Sequence, residues 1–188
     1  IEKARIIRKV SISELAARLG ISQNKLKKYE SGKEYISSKI IVAVTSSLRI
    51  TLNFLLFSPP SGEPFVRMNH SSIPEREKKS ILELAKYTAA RIDSFVKFSE
   101  ILSEKKDKIH VIKSAQEFGG KMGDACLLCE NLVDFLQKNG ILLARLSVDT
   151  ALFKGLFIKE DTTPIIMIPE KYVSETDITK IIAHALGH

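Results

Sequence analysis

The chain has 188 residues, of which 44% are hydrophobic and 27% are charged, a composition typical of globular proteins. This length predicts one or two domains, each able to bury an apolar core. No apolar run approaches the length of a membrane-spanning helix, and the charged start of the chain lacks the apolar stretch of a secretory signal. Two cysteines are too few for a disulfide framework. We therefore expect a cytoplasmic protein that has no membrane partner.

The net charge of +7 lies in the first third of the chain. Residues 1–57 contain 11 lysines and arginines against 4 acidic residues, whereas residues 58–188 contain 18 of each. A compact basic segment beside a neutral one is typical of a nucleic-acid-binding module joined to a second module. A lysine-rich surface that only keeps the protein soluble would give the same counts, so the charge alone leaves both interpretations open.

Two short helices with a tight turn between them are predicted near the amino terminus. The first covers residues 13–19 and ends at Gly20, which can adopt the positive φ of a helix C-cap. Ser22 then provides the N-cap of a second helix over residues 23–30. Apolar residues within 40–57 recur at helical spacing and would complete a small all-helical core. This arrangement is that of a helix-turn-helix.

Two stretches of this segment follow a known pattern almost position by position, residues 14–22 (ELAARLGIS) and residues 28–33 (KYESGK). The match continues to residues 53–55, and residues 10–57 as a whole resemble the XRE (Cro/cI-type) helix-turn-helix family. The resemblance implies that the second helix enters the major groove of double-stranded DNA. One position departs from the pattern, because Ile12 stands where the family often has a glutamine that touches a backbone phosphate.

The resemblance also implies which side chains contact DNA. Glutamine and asparagine can pair bidentately with adenine, and lysine can reach guanine or phosphate. The residues expected to face the bases are Gln23, Asn24, Lys25 and Lys28. Lys27 and Lys33 are expected to hold phosphates. We expect a homodimer on a palindromic site; the alternative is a helix-turn-helix that grips another protein, with these side chains merely solvated.

Residues 58–74 are predicted to be a linker, because three of the first seven are proline and one is glycine. A long helix is expected over residues 75–103, with apolar side chains that include Phe95 facing a core. The predicted domains are therefore residues 1–57 and residues 75–188, separated by this linker.

The carboxy-terminal part is predicted to combine helices with a strand hairpin. Helices are expected over residues 114–122 and 130–138, and strands over 141–146, 155–158 and 164–168. The last two strands would form the hairpin. A final helix, capped by Ser174 or Thr176, would follow.

Two histidines, His184 and His188, lie four residues apart on this final helix and therefore share one face. Zinc proteases hold their metal with such a pair, and a glutamate directly after the first histidine acts as the general base. Here that residue is Ala185. With the preceding helix and strand hairpin, the segment resembles the ImmA/IrrE family of zinc metallopeptidases. That family usually carries His-Glu-x-Gly-His, and many members lie behind an XRE-type helix-turn-helix.

The two resemblances together imply a mainly α, α+β fold: an all-helical helix-turn-helix domain, a long linking helix and a zincin-like domain with a small β-sheet. They imply that zinc binds His184 and His188. The family's third ligand is acidic and lies beyond the position of His188, so it is absent from this sequence. Family members often act in stress responses, and the implied activity is cleavage of a partner such as a repressor or antitoxin. Because Ala185 cannot act as a base, we expect a rate loss of about a hundredfold to ten-thousandfold, and hence an inactive chain.

Three explanations of Ala185 remain open at the level of sequence. The alanine can be an engineered inactivation, or a natural loss in a protein that keeps only a sensing or binding role. The histidine pair can also be a coincidence on a structural helix, because four histidines in this length give a chance pair at this spacing in roughly one case in ten. The alternative function is a non-catalytic transcription factor whose peptidase-like domain only senses a signal or dimerises.

Overall fold

The computed structural model describes residues 1–57, 65–69, 73–102, 129–159 and 163–186. Over these residues the protein is mainly helical, with a small β-sheet, as the sequence predicts. The chain forms two compact units, each built from two separate stretches. The amino-terminal unit contains Ile1–Pro60 and Pro74–Leu84, and the carboxy-terminal unit contains Ser61–Ile73 and Ala85–His188.

The amino-terminal unit is helical throughout its described part. Its helices are α1 (Glu2–Ile7), α2 (Ile12–Leu19), α3 (Gln23–Glu30), α4 (Ser38–Leu48), α5 (Leu52–Leu56) and the opening turns of α6 (Glu75–Leu102). Four of these helices are preceded by a hydroxyl residue that caps them, because its side chain accepts a hydrogen bond from the backbone N–H three residues further on. The four capping residues are Ser11, Ser22, Ser37 and Thr51. Such caps typically contribute about 1 kcal/mol each.

The predicted helix-turn-helix is confirmed in its local details. At Ser11 the cap is reciprocal, since the Glu14 carboxylate also accepts from the Ser11 backbone N–H. Gly20 ends α2 with a φ of 64°, the left-handed conformation expected of a glycine C-cap. Ser22 caps α3, which has the predicted bounds.

Helix α1 has no counterpart among the elements predicted from the sequence. It is six residues long, and Ile1 at its N-cap position offers no side-chain hydrogen bond, so the usual start signal is missing. Ala4 nevertheless packs into the core of the unit. The buried members of that core are Ala4, Val10, Leu15, Ala16, Leu26, Val44 and Leu48.

Helix α6 corresponds to the predicted long helix, but one of its faces differs from the prediction. Phe95, expected to face a core, is 71% exposed. The side chains that α6 buries are instead Ser80, Ile81, Ala85, Ala89, Ala90 and Asp93. Asp93 is fully buried, and its carboxylate pairs with Lys97 Nζ at 2.7 Å. The buried side of the helix therefore includes Ala89, Ala90 and Asp93, and Phe95 lies outside it.

The carboxy-terminal unit packs helices on a four-stranded sheet. Its elements are β1 (Phe65–Asn69), the later part of α6, α7 (Cys129–Lys138), β2 (Leu142–Leu146), β3 (Gly155–Lys159), β4 (Pro164–Pro169) and α8 (Glu175–Leu186). The strand order is β1-β3-β4-β2. β3 and β4 form the predicted antiparallel hairpin, and β2 runs parallel to β4. The predicted helix over residues 114–122 lies outside the described residues.

Strand β1 lies within the stretch that was expected to be a linker. It pairs antiparallel with β3, and Phe65 stands opposite Lys159. A pairing between segments so distant in sequence gives no local signal for a strand. The prolines just before β1 give a strong signal for a loop, which led to the prediction of a linker.

Helix α8 is capped by Ser174, one of the two predicted caps. The Asp177 backbone N–H donates to Ser174 Oγ at 3.2 Å, and Ser174 Oγ donates to Asp177 Oδ2 at 2.7 Å. The second of these bonds lowers the pKa of Asp177. The helix crosses the sheet directly over Gly155, where a Cβ atom would lie 2.5 Å from Ile181 Cγ2. Only glycine fits this close approach.

Candidate nucleic-acid interface

Helix α3 buries one face and presents the other to solvent. Leu26 and Tyr29 point into the amino-terminal unit and are buried. Successive residues on a helix are about 100° apart, so Asn24, Lys27 and Lys28 lie on the side opposite to this buried pair. All three are exposed. The centre of the outward face is therefore one amide and two lysines.

The remaining predicted contact residues border this outward face. Gln23 and Lys25 lie on its two flanks, and both are exposed. Lys33 is exposed in the turn after α3, and its backbone N–H donates to the Lys28 carbonyl at 2.9 Å. That bond holds the start of the turn against the last turn of the helix. The structure thus brings all six predicted residues onto α3 and the turn that follows it.

Lys25 has partners of its own within the protein. Its Nζ lies 3.7 Å from Glu34 Oε1 and 5.9 Å from the centre of the Tyr29 ring. The side chain therefore lies along the flank of α3 towards the following turn. Glu34 is a residue of this site that sequence reasoning missed.

A buried ion pair fixes the carboxy-terminal end of α3. Arg5 Nε donates to Glu30 Oε1 at 2.8 Å, and a second guanidinium nitrogen donates to Oε2 at 2.9 Å. A third donates to the Val10 carbonyl at 3.2 Å. The two side chains are only 10% and 7% exposed. The hydrogen bonds with Glu30 raise the pKa of Arg5.

This pair was also missed from the sequence, although one signal pointed to it. Glu30 is the last residue of α3, where the helix dipole disfavours a negative charge. An acidic residue at that place needs a cation nearby, and Arg5 supplies it from α1. Because α1 itself was not predicted, its arginine could not be assigned.

The structure gives Ile12, the one departure from the family pattern, a role in packing. It is the first residue of α2 and packs, partly buried, against the core of the amino-terminal unit. An apolar side chain in that position contributes to packing and offers no hydrogen bond to a phosphate.

In the carboxy-terminal helix α8, the two described residues of the predicted metal motif lie in different surroundings. His184 is exposed, whereas Ala185 is only 6% exposed. Ala185 belongs to an apolar cluster formed by α7, β4 and α8, whose other buried members are Leu132, Leu136, Ile166, Ile168, Ile181 and Ile182. His188 lies outside the described residues.

The predicted zinc site lies only partly within the residues that the structure describes. A glutamate at position 185 would enter this apolar cluster, where a charged carboxylate is strongly disfavoured. Within the described ranges, no three His, Cys, Asp or Glu side chains lie close enough together to hold a metal ion. His184 remains the single described member of the predicted ligand pair.

Comparison with known proteins agrees with the amino-terminal geometry. A family model described as Helix-turn-helix (HTH_3) matches residues 1–55. No curated protein and no solved structure matches the chain significantly. None of the helices in the described part is long and apolar enough to span a membrane. Residues 1–55 are therefore an XRE-type helix-turn-helix, the DNA-binding domain of a transcription regulator.

Proposed function

We propose that this regulator inserts α3 into the major groove of double-stranded DNA. The observation that carries the proposal is the outward face of α3, where amide and ammonium groups lie opposite the buried Leu26 and Tyr29. The side chains that face the bases are Gln23, Asn24, Lys25 and Lys28. Lys27 and Lys33 hold phosphates.

The proposed complex is a homodimer on a palindromic operator in the cytoplasm. A single helix of eight residues reads only a few base pairs, so a second copy on the next half-site supplies the remaining specificity. Half-sites about one helical turn apart would place both copies of α3 on the same side of the duplex.

The test is selection of binding sites from a random duplex library with the full chain, followed by titration at several salt concentrations. We expect a palindromic consensus and a steep fall of affinity with salt. Lys28→Ala should weaken specific binding about fivefold to 150-fold, equivalent to about 1–3 kcal/mol for a base contact. Lys171→Ala is the matched control, because Lys171 is an exposed lysine of the other unit.

The outcomes separate the proposal from its rival. Equal weakening by Lys28→Ala and Lys171→Ala would show that only net charge matters. A chain that selects no sequence, and yet captures a protein partner without DNA, would favour the helix-turn-helix as a protein-binding module.

For the carboxy-terminal unit we propose a non-catalytic role in dimerisation or sensing. Support comes from Ala185, whose position is part of the apolar cluster between α7, β4 and α8. Zinc-dependent cleavage of a repressor or antitoxin, with zinc on His184 and His188, stays a prediction of the family resemblance.

The two roles are distinguished by incubating the full chain and its Ala185→Glu variant with zinc and an unfolded protein substrate such as casein. We expect no cleavage by either protein. Zinc-dependent cleavage by Ala185→Glu that is lost on adding His184→Ala would overturn the non-catalytic role.

A further inference from the structure

The flank of α3 carries an acidic residue beside one of the lysines assigned to DNA. Glu34 lies in the turn after α3, next to Lys33, and its Oε1 is 3.7 Å from Lys25 Nζ. The stem of Lys25 runs past the Tyr29 ring, which lies 5.9 Å from the ammonium. Two attractive partners therefore hold Lys25 along the side of the helix.

The ion pair is open to solvent, and this limits what it can contribute to folding. The side chains of Lys25 and Glu34 are 48% and 37% exposed. Exposed pairs of this kind add little to stability, because water and salt screen them. Removing Glu34 should therefore leave the fold intact, and any large effect should appear in DNA binding.

At the DNA surface the same pair acts against binding. Lys25 must leave the Glu34 carboxylate before its ammonium can reach a phosphate or a base edge. Glu34 also brings a negative charge close to Lys33, which is assigned to a phosphate, so the carboxylate opposes the polyanion directly. Both effects lower affinity for any duplex.

We propose that Glu34 sets the DNA affinity of this regulator by competing with DNA for Lys25. The inference rests on the proposed function, since it requires α3 to face DNA. It assigns to Glu34 a positioning role that acts through Lys25 and requires no contact of its own with a base.

A double-mutant cycle on the full chain tests the coupling. Binding of a short fluorescent duplex of mixed sequence is measured by anisotropy over a range of salt concentrations. Glu34→Gln should tighten binding about fivefold at low salt, and the slope against log salt should steepen by about one ion. Glu2→Gln is the matched control, because it makes the same charge change at an exposed position in α1, and it should change affinity less than twofold.

The decisive comparison is made in the Lys25→Ala background, where Glu34→Gln should have less than about half its effect. An equal effect in both backgrounds would overturn the proposal, because Glu34 would then act only as a bulk negative charge. If the wild-type chain binds DNA and Glu34→Gln binds with the same affinity, the proposal about Glu34 is overturned while the proposed function stands. A wild-type chain that binds no duplex would overturn the proposed function as well.

Discussion

The two units differ in whether the residues predicted to be functional lie in solvent or in a core. In the amino-terminal unit, α3 turns its apolar side chains inward and leaves the predicted DNA-contact residues on the outside. In the carboxy-terminal unit, α8 turns position 185 of the predicted metal motif into an apolar cluster. Spacing along a helix tells which residues share a face. It does not tell whether that face meets solvent or a core.

The units also differ in what stabilises them. Besides its apolar core, the helix-turn-helix has hydroxyl caps and the buried pair of Arg5 and Glu30, whose hydrogen bonds are directional. The carboxy-terminal unit depends on close apolar packing of α8 over the sheet, with Gly155 at the tightest point. The first unit should therefore be most sensitive to lost charge, and the second to added volume or charge.

The largest effect is expected from Arg5→Ala, which leaves the Glu30 carboxylate buried without its cation. Breaking one partner of such a pair typically costs about 3–5 kcal/mol. Hydrogen exchange of the full chain should show faster exchange in α1 and α3. Arg18→Ala is the control, because its pair with Glu14 is exposed, and it should cost about 1 kcal/mol or less.

A second variant shows whether the charge itself matters for the amino-terminal unit. Replacing both residues of the pair, as in Arg5→Met with Glu30→Met, should recover most of the lost stability. A double variant as unstable as Arg5→Ala would mean that the hydrogen-bond geometry, and not the buried charge, is the requirement.

Next in size is Ala185→Glu, which puts a carboxyl group into the cluster around Ile166 and Ile182. We expect a loss of about 3 kcal/mol in the carboxy-terminal unit. Burial would raise the pKa of the new glutamate above its unfolded value, so the loss should grow as the pH rises from 5 to 8. Thermal unfolding followed over this pH range measures both effects.

His184→Glu is the control for this variant, since it adds the same group one residue earlier at an exposed position, and it should change stability by about 0.5 kcal/mol or less. If Ala185→Glu unfolded at the wild-type temperature throughout this pH range, the contrast drawn between the two units would be lost.

The smallest of these effects is expected from Gly155→Ala. The added Cβ would lie 2.5 Å from Ile181 Cγ2 and 3.2 Å from the Met167 carbonyl oxygen. Overpacking of this kind costs about 1–3 kcal/mol. A lowered unfolding temperature for Gly155→Ala is the expected result, and an unchanged one would show that α8 can shift off the sheet.

The sequence was a reliable guide wherever a local signal determined the structure. Ser22 and Gly20 mark helix ends through hydrogen bonds and φ angles that involve only neighbouring residues, and the bounds of α3 were predicted from them. The same holds for the hairpin of β3 and β4.

The features that sequence reasoning missed depend on distant partners. Arg5 meets Glu30 across 25 residues, and β1 pairs with a strand that begins at Gly155. The error at Phe95 has another cause. The apolar pattern was extended along a long helix, whereas the structure buries Ala89, Ala90 and Asp93 and leaves Phe95 exposed. At α8 the pairing of His184 with His188 stays a prediction, and only the packing around Ala185 shows which way position 185 points.

The docking of α6 on α1 has a consequence for synthesis on the ribosome. Ser80 Oγ donates to the Ile7 carbonyl at 2.8 Å, and Lys9 pairs with Glu77 at 2.9 Å, although these partners are 73 and 68 residues apart. During synthesis, the helix-turn-helix can form these contacts only after residues 58–84 have emerged. At typical elongation rates, this delay is about 1–5 s. Pauses of translation within that stretch should prolong the life of an unfinished DNA-binding unit.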